Sequence, residues 1–219
     1  MNNSPAHQPT TRHTTGRLLG IVLSGGKSSR MGRNKATLRT DASRGLSFLQ
    51  HAVGRLRDVC HQVCVSADPT SLPHEILAET CLQFADFIPD TITDAGPIAG
   101  VLSGLTEARR RGLEGILITP VDVPNLGVVQ LNDLIAHWQA DQRQVVCAVS
   151  STDPDASASF CAEPLIAIYP LLAQAELQSF ALAGGRSLNR WLSEQTIGQV
   201  PMPPTACRNI NCPDDLRDG

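Results

Sequence analysis

Between Leu18 and Lys35 the chain reads LLGIVLSGGKSSRMGRNK, a combination of residue types suited to phosphate chemistry. An apolar run, Leu18 to Leu23, stops at Ser24-Gly25-Gly26, and Lys27, Arg30, Arg33 and Lys35 follow with no acid among them. A strand feeding a glycine turn presents bare backbone N–H groups beyond the carboxyl end of a sheet. Cations beside such amides make a site for a strongly anionic ligand, and a triphosphate is the expected one. The common nucleotide loops do not fit. G-x-G-x-x-G is absent, and a Walker A loop would need a glycine where Ile21 stands, inside the strand.

Further polar residues fall where other strands are expected to end. Ser66 follows Gln62-Val63-Cys64-Val65, Asp90 follows the run Phe84 to Ile88, and Asp122 follows Gly115-Ile116-Leu117-Ile118-Thr119-Pro120-Val121. An acid at the end of the most apolar strand is costly unless something pairs with it. Asp122 therefore reads as a metal ligand or as the N-cap of the helix beginning near Pro124. Asp90 reads as a nucleotide contact or an Asx-turn residue. Gly96-Pro97 lets the chain pass close to a ligand or simply opens a helix, proline being suited to a first helical turn. Asn209 and Asn211 flank Ile210, so in an extended segment they point the same way.

The elements that must position these residues follow from hydrophobic periodicity. Strands are expected at 18–23, 62–66, 84–88, 115–121, 145–149 and 165–168. Helices are expected at 46–59, from Pro97 to a stop at Gly112, and at 128–138, 171–183 and 187–194. Ser150 to Ala162 reads as a Ser/Asp loop, and Val200-Pro201-Met202 as the lead into the tail. Strands alternating with helices imply an α/β fold with three layers, a Rossmann-like, mainly parallel sheet covered on both faces. In such sheets ligands sit beyond the carboxyl ends of strands, where Ser24-Gly25-Gly26, Ser66, Asp90 and Asp122 gather. Arg109-Arg110-Arg111 closes a helix and reads as dipole complementarity on a solvated face.

At 219 residues, 42% hydrophobic and 18% charged, the composition fits a soluble globular protein. One domain is expected over 17–219, after a disordered tail, 1–16. A net charge of −3 argues against nucleic acid as a partner, and no apolar run suits a membrane span. The seven cysteines include no C-x-x-C pair and are expected to be reduced and mostly buried, which points to the cytoplasm. The six histidines read as surface or packing residues, with no Ser–His or His–Asp arrangement.

The segment Leu23 to Gly32, followed by Lys35, resembles the signature of nucleotidyltransferases with the glycosyltransferase-A-like (GT-A-type) fold. Its double glycine is similar to that of the molybdenum cofactor guanylyltransferases, the MobA family. The likeness continues through Gly96-Pro97-Ile98-Ala99-Gly100 and Pro120-Val121-Asp122-Val123-Pro124. It closes with Asn209-Ile210-Asn211-Cys212-Pro213-Asp214-Asp215-Leu216. Ser24, Ser66 and Cys212 depart from the commoner Ala, Asn and Thr.

The resemblance implies transfer of GMP from GTP to Mo-molybdopterin with release of pyrophosphate. The acceptor phosphate, with a second pKa of about 6, is already a nucleophilic dianion at neutral pH, so no general base is required. Charge neutralisation is required. Arg30 and Lys35 are expected to hold the triphosphate, Lys27 and Arg33 being second choices, and Asp122 to hold Mg²⁺. Leu23, Ser24, Gly25, Gly26, Ser66, Asp90, Gly96 and Pro97 are expected around GTP. Asn209 and Asn211 are expected near molybdopterin, at least one of them also capping a helix entered at Pro213. Transient contact with molybdoenzymes or cofactor chaperones is implied too. Three alternatives stay open: a cytidylyltransferase, a sugar-1-phosphate nucleotidyltransferase, and a nucleotide-binding adaptor without chemistry.

Overall fold

The computed structural model describes residues 17–24, 35–39, 45–67, 70, 72, 83, 85–89, 96–150, 161–210 and 215. The strands are β1 (Leu18–Leu23), β2 (Gln62–Ser66), β3 (Ala85–Ile88), β4 (Gly115–Pro120), β5 (Val145–Ser150), β6 (Cys161–Pro170) and β7 (Ile197–Met202). They form one seven-stranded sheet in the order β3-β2-β1-β4-β6-β5-β7. β2 pairs in parallel with β1 and β3, β1 with β4, and β5 with β7, whereas β6 runs antiparallel to both β4 and β5. Every strand but β6 therefore ends on the same rim.

The helices are α1 (Phe48–Val59), α2 (Pro97–Arg110), α3 (Val128–Ala140), α4 (Ala173–Leu182), α5 (Leu188–Leu192) and α6 (Pro204–Cys207). Lys35–Thr37 forms a short 3₁₀ turn. On one face of the sheet α1 and α3 bury Phe48, Leu49, Leu56, Leu131, Leu134 and Trp138. On the other, α2, α4 and α5 bury Ile98, Leu105, Leu177, Leu188 and Trp191. Along β1, Leu18 and Val22 join the first cluster while Leu19 and Ile21 join the second. That double burial is why the strand is apolar throughout rather than alternating. The expected three layers are present.

Differences from the periodic reading have local causes. α1 starts at Phe48, not Leu46, because Ser47 caps it. The Ser47 hydroxyl accepts from the Gln50 N–H at 3.1 Å, and the Gln50 amide oxygen accepts from the Ser47 N–H at 2.7 Å. β3 starts at Ala85 and α4 at Ala173, each later than expected, and α5 is shorter at both ends. β6 is ten residues long, well beyond Leu165–Ile168, and takes in Cys161 and Ala162 at the end of the Ser/Asp stretch.

β7 was not expected as a strand. It carries Pro201, which lacks an N–H, but it lies on the sheet edge, where one side of the strand needs no ladder bonds. The antiparallel β6 was legible in principle. The stretch between the expected strands at 145–149 and 165–168 holds no helical pattern, and a parallel return needs a crossover.

Candidate functional site

Backbone hydrogen bonds stitch the ends of the parallel strands into a continuous rim. Ser24 N–H donates to the Ser66 carbonyl at 3.2 Å, Val121 N–H to the Leu23 carbonyl at 3.0 Å, and Ala67 N–H to the Ile88 carbonyl at 3.2 Å. Farther along, Ile210 N–H donates to the Asp122 carbonyl at 2.8 Å. Leu23, Ser24, Ser66, Asp122 and the segment holding Asn209 are thus brought together, although they are scattered along the sequence. Asn209 is exposed and Ile210 buried, the alternation of an extended segment pinned by its apolar residue.

The amino end of α2 closes over this rim. A Cβ placed on Gly100 would lie 2.3 Å from Leu23 Cδ2 and 3.0 Å from Ser66 Oγ, so a side chain here would have to push Leu23 aside. Gly96, with φ of 59°, turns the chain into Pro97, the first residue of the helix. Both Gly96 and Pro97 are exposed, open to a ligand over the rim. Among the described residues, Ser24 Oγ and Thr119 Oγ1 are buried without a hydrogen-bond partner, both close to where β1 and β4 end. Buried hydroxyls of this kind cost stability unless a ligand or water completes them.

Asp122 stands beyond β4, part-exposed. It does not cap the following helix, which starts at Val128 with Gly127 at the N-cap. The capping alternative is therefore excluded. Among the described residues no group of three or more His, Cys, Asp or Glu side chains could hold a metal. Magnesium does not need such a group, because that ion is commonly held by one or two carboxylates plus substrate phosphates and water.

Sequence reasoning passed over Arg55. Its side chain on α1 lies beneath the turn that carries Asp122, and the residue is only 7% exposed. One terminal nitrogen donates to the Val123 carbonyl at 2.6 Å and to Leu126 at 3.5 Å; the other donates to the Pro120 carbonyl at 3.0 Å. Burial pulls Arg55 down to about 10, partly opposed by the Asp122 carboxylate, and leaves it charged at neutral pH. One turn earlier, burial and the Arg55 charge together lower His51. A signal was available: position 55 lies seven residues after Phe48 and three after Ala52, on the apolar stripe of the helix. An arginine there needs acceptors inside the protein.

Gly25, Gly26, Lys27, Arg30, Arg33, Asp90, Asn211 and the helix expected at Pro213 lie outside the described residues, as does the side chain of Lys35. The arginine run at the end of α2 is on the opposite rim. There Arg110 and Arg111 pair with Glu107 at 2.7 Å each, and Arg111 also reaches Asp86 at 2.7 Å, so this run serves the helix end. Four of the five described cysteines, Cys60, Cys64, Cys147 and Cys207, are buried, and all five are free thiols. Burial pushes Cys60 and Cys147 up to about 12, which makes them poor nucleophiles. No described helix is long and apolar enough to cross a membrane.

The sequence matches the MobA-like NTP transferase domain over residues 20–199. It is 37% identical over 202 residues to a probable molybdenum cofactor guanylyltransferase of Rhodopirellula baltica, covering 91% of this chain and 90% of that one. Among solved structures, molybdopterin-guanine dinucleotide biosynthesis protein A from Archaeoglobus fulgidus superposes with a TM-score of 0.66 at 21% identity. That match covers 92% of this chain and 96% of the other. The 4-diphosphocytidyl-2C-methyl-D-erythritol synthase of Anaerococcus prevotii superposes with a TM-score of 0.70 at 11% identity, over 93% and 94% of the two chains. Enzymes whose names point to different bases share this fold, so the fold by itself does not select guanine.

Proposed function

Because the chain belongs to the MobA-like NTP transferase family, we propose that it is a molybdenum cofactor guanylyltransferase. It moves GMP from GTP onto the terminal phosphate of Mo-molybdopterin and releases pyrophosphate, working as one domain, 17–219, in the cytoplasm. The observation that carries this reading is the bond between Ile210 N–H and the Asp122 carbonyl, 2.8 Å long. It joins the closing motif to the strand end that also meets Leu23 and, through Ser24, Ser66. Nucleotide and acceptor motifs thereby share one rim.

The nucleotide lies over the ends of β1 and β2. Ser24 and Ser66 face its nucleoside, and Gly96-Pro97 lets the chain pass beside it. Arg30 and Lys35 hold the triphosphate and offset charge growing on the departing pyrophosphate. Asp122 would hold Mg²⁺, and the ion when bound would supply charge screening between the two phosphates and Lewis acidity at the one attacked. Asn209 and Asn211 orient the pterin, whose edge offers both donors and acceptors to an amide. The acceptor phosphate attacks as a dianion, so the site needs orientation and charge balance rather than a base.

A four-nucleotide panel with purified Mo-molybdopterin and Mg²⁺ tests the reading. Pyrophosphate release with GTP far above CTP, ATP and UTP is expected. A CTP preference would make the protein a cytidylyltransferase, and nucleotide binding without pyrophosphate would make it an adaptor.

A further inference from the structure

A cation buried under an acid-bearing turn requires a reason. Taking a guanidinium out of water is costly, and the cost is offset only where its N–H groups find acceptors and an opposite charge lies near. Arg55 meets those conditions at one place alone, the connection between β4 and α3. Its two terminal nitrogens reach the carbonyls of Pro120 and Val123, which lie on either side of Asp122 in the chain, and that of Leu126. Its Nε is buried without a partner, so the planar fork is committed to that turn at the expense of its third donor position. From the other side, Ile210 N–H holds the carbonyl of Asp122 itself. The peptide units around Asp122 are thus gripped from α1 and from the closing segment, while the residue itself stays part-exposed.

We infer that Arg55 is a positioning residue for Asp122: it fixes the backbone on both sides of that acid, so that the carboxylate meets a nucleotide-bound divalent cation without rearranging. This rests on the reading of Asp122 as the metal ligand. An arginine suits the task where lysine does not, because a rigid fork can span two carbonyls at once and a point charge cannot. Groups that orient a ligand from behind commonly matter almost as much as the ligand.

The test is Mn²⁺ affinity of the full-length protein with bound GTP, read by electron paramagnetic resonance, for R55M, R55Q, D122A and R55M/D122A. GTP affinity without metal and Tm are measured alongside. R55M is expected to weaken Mn²⁺ binding about tenfold, on the scale seen for residues behind a metal ligand. Metal-free GTP affinity should stay within about twofold, as expected for a group acting only through the acid. In the D122A background R55M should add nothing to the loss of Mn²⁺, which a merely structural role would not produce. R55Q keeps amide donors for one carbonyl and is read in the same way should R55M fail to fold. Parental Mn²⁺ affinity in a folded Arg55 variant, with D122A still weakened, overturns this inference alone. Parental affinity in D122A overturns both the inference and the reading beneath it.

Discussion

Asp122 follows a strand whose six residues are all buried, yet is itself part-exposed. A charged group is tolerated beside so apolar an element when it has a partner to meet there. If that partner is a nucleotide-bound cation, D122A lowers kcat by about a hundredfold or more, the scale for losing one group that stabilises transition-state charge. Tm should fall as well, because the same carboxylate offsets the charge of buried Arg55; turnover per folded molecule and matched thermal melts separate the two losses. Ser24 and Arg55 teach the converse at this scale. Neither hydroxyl nor guanidinium could be assigned an environment from its neighbours in sequence, since the carbonyls near Arg55 lie 65 to 71 positions away.

At the level of elements, the site depends on how closely strands and helices approach, and glycines set those distances. Gly115 opens β4, where a Cβ would come within 2.6 Å of the Tyr169 carbonyl oxygen on β6. Backbone cannot rotate away as a side chain can, so G115A forces β4 and β6 apart and costs about 2 kcal/mol of stability. Because Gly115 lies at the end of β4 away from the rim, turnover per folded molecule should hold; urea unfolding and active-site titration separate the two quantities. The helices and central strands were legible, since a doubly covered sheet demands unbroken apolar runs and its helices demand one apolar stripe each. Edge strand β7 was not, and the direction of β6 showed only indirectly, in the lack of a helical pattern between 149 and 165. Pairing direction is decided by where the chain returns, and an edge strand can hold a proline that would argue against strand anywhere else.

For the whole molecule, the two rims divide the labour. The rim at the strand ends gathers the candidate site, while the other carries the cluster of Arg110, Arg111, Glu107 and Asp86. Hydrogen bonds from Arg110, then those of Arg111 and the charge of both, hold Glu107 down to about 2, against an ordinary 4.5. A carboxyl lowered on folding adds stability above its unfolded value and loses it as pH falls toward the folded one. The parent should therefore lose Tm more steeply than E107Q between pH 4.5 and 2, while at neutral pH the effect stays small because Arg110 is solvent-exposed. Thermal melts across that pH range check it, and neutral-pH activity should be the same in both proteins.

Residue order alone determined the helices and most of the strands, that glycines and cations follow the first strand, and that acids and small polar residues close several others. These are local matters, governed by periodicity, capping and the cost of burying unpaired polar groups. Only the folded chain decided that Ile210 docks on Asp122, that α2 comes within reach of Leu23 and Ser66, and that Arg55 holds the turn between β4 and α3. Contacts across such separations are selected by the packing of the whole sheet, and no window of sequence contains both partners.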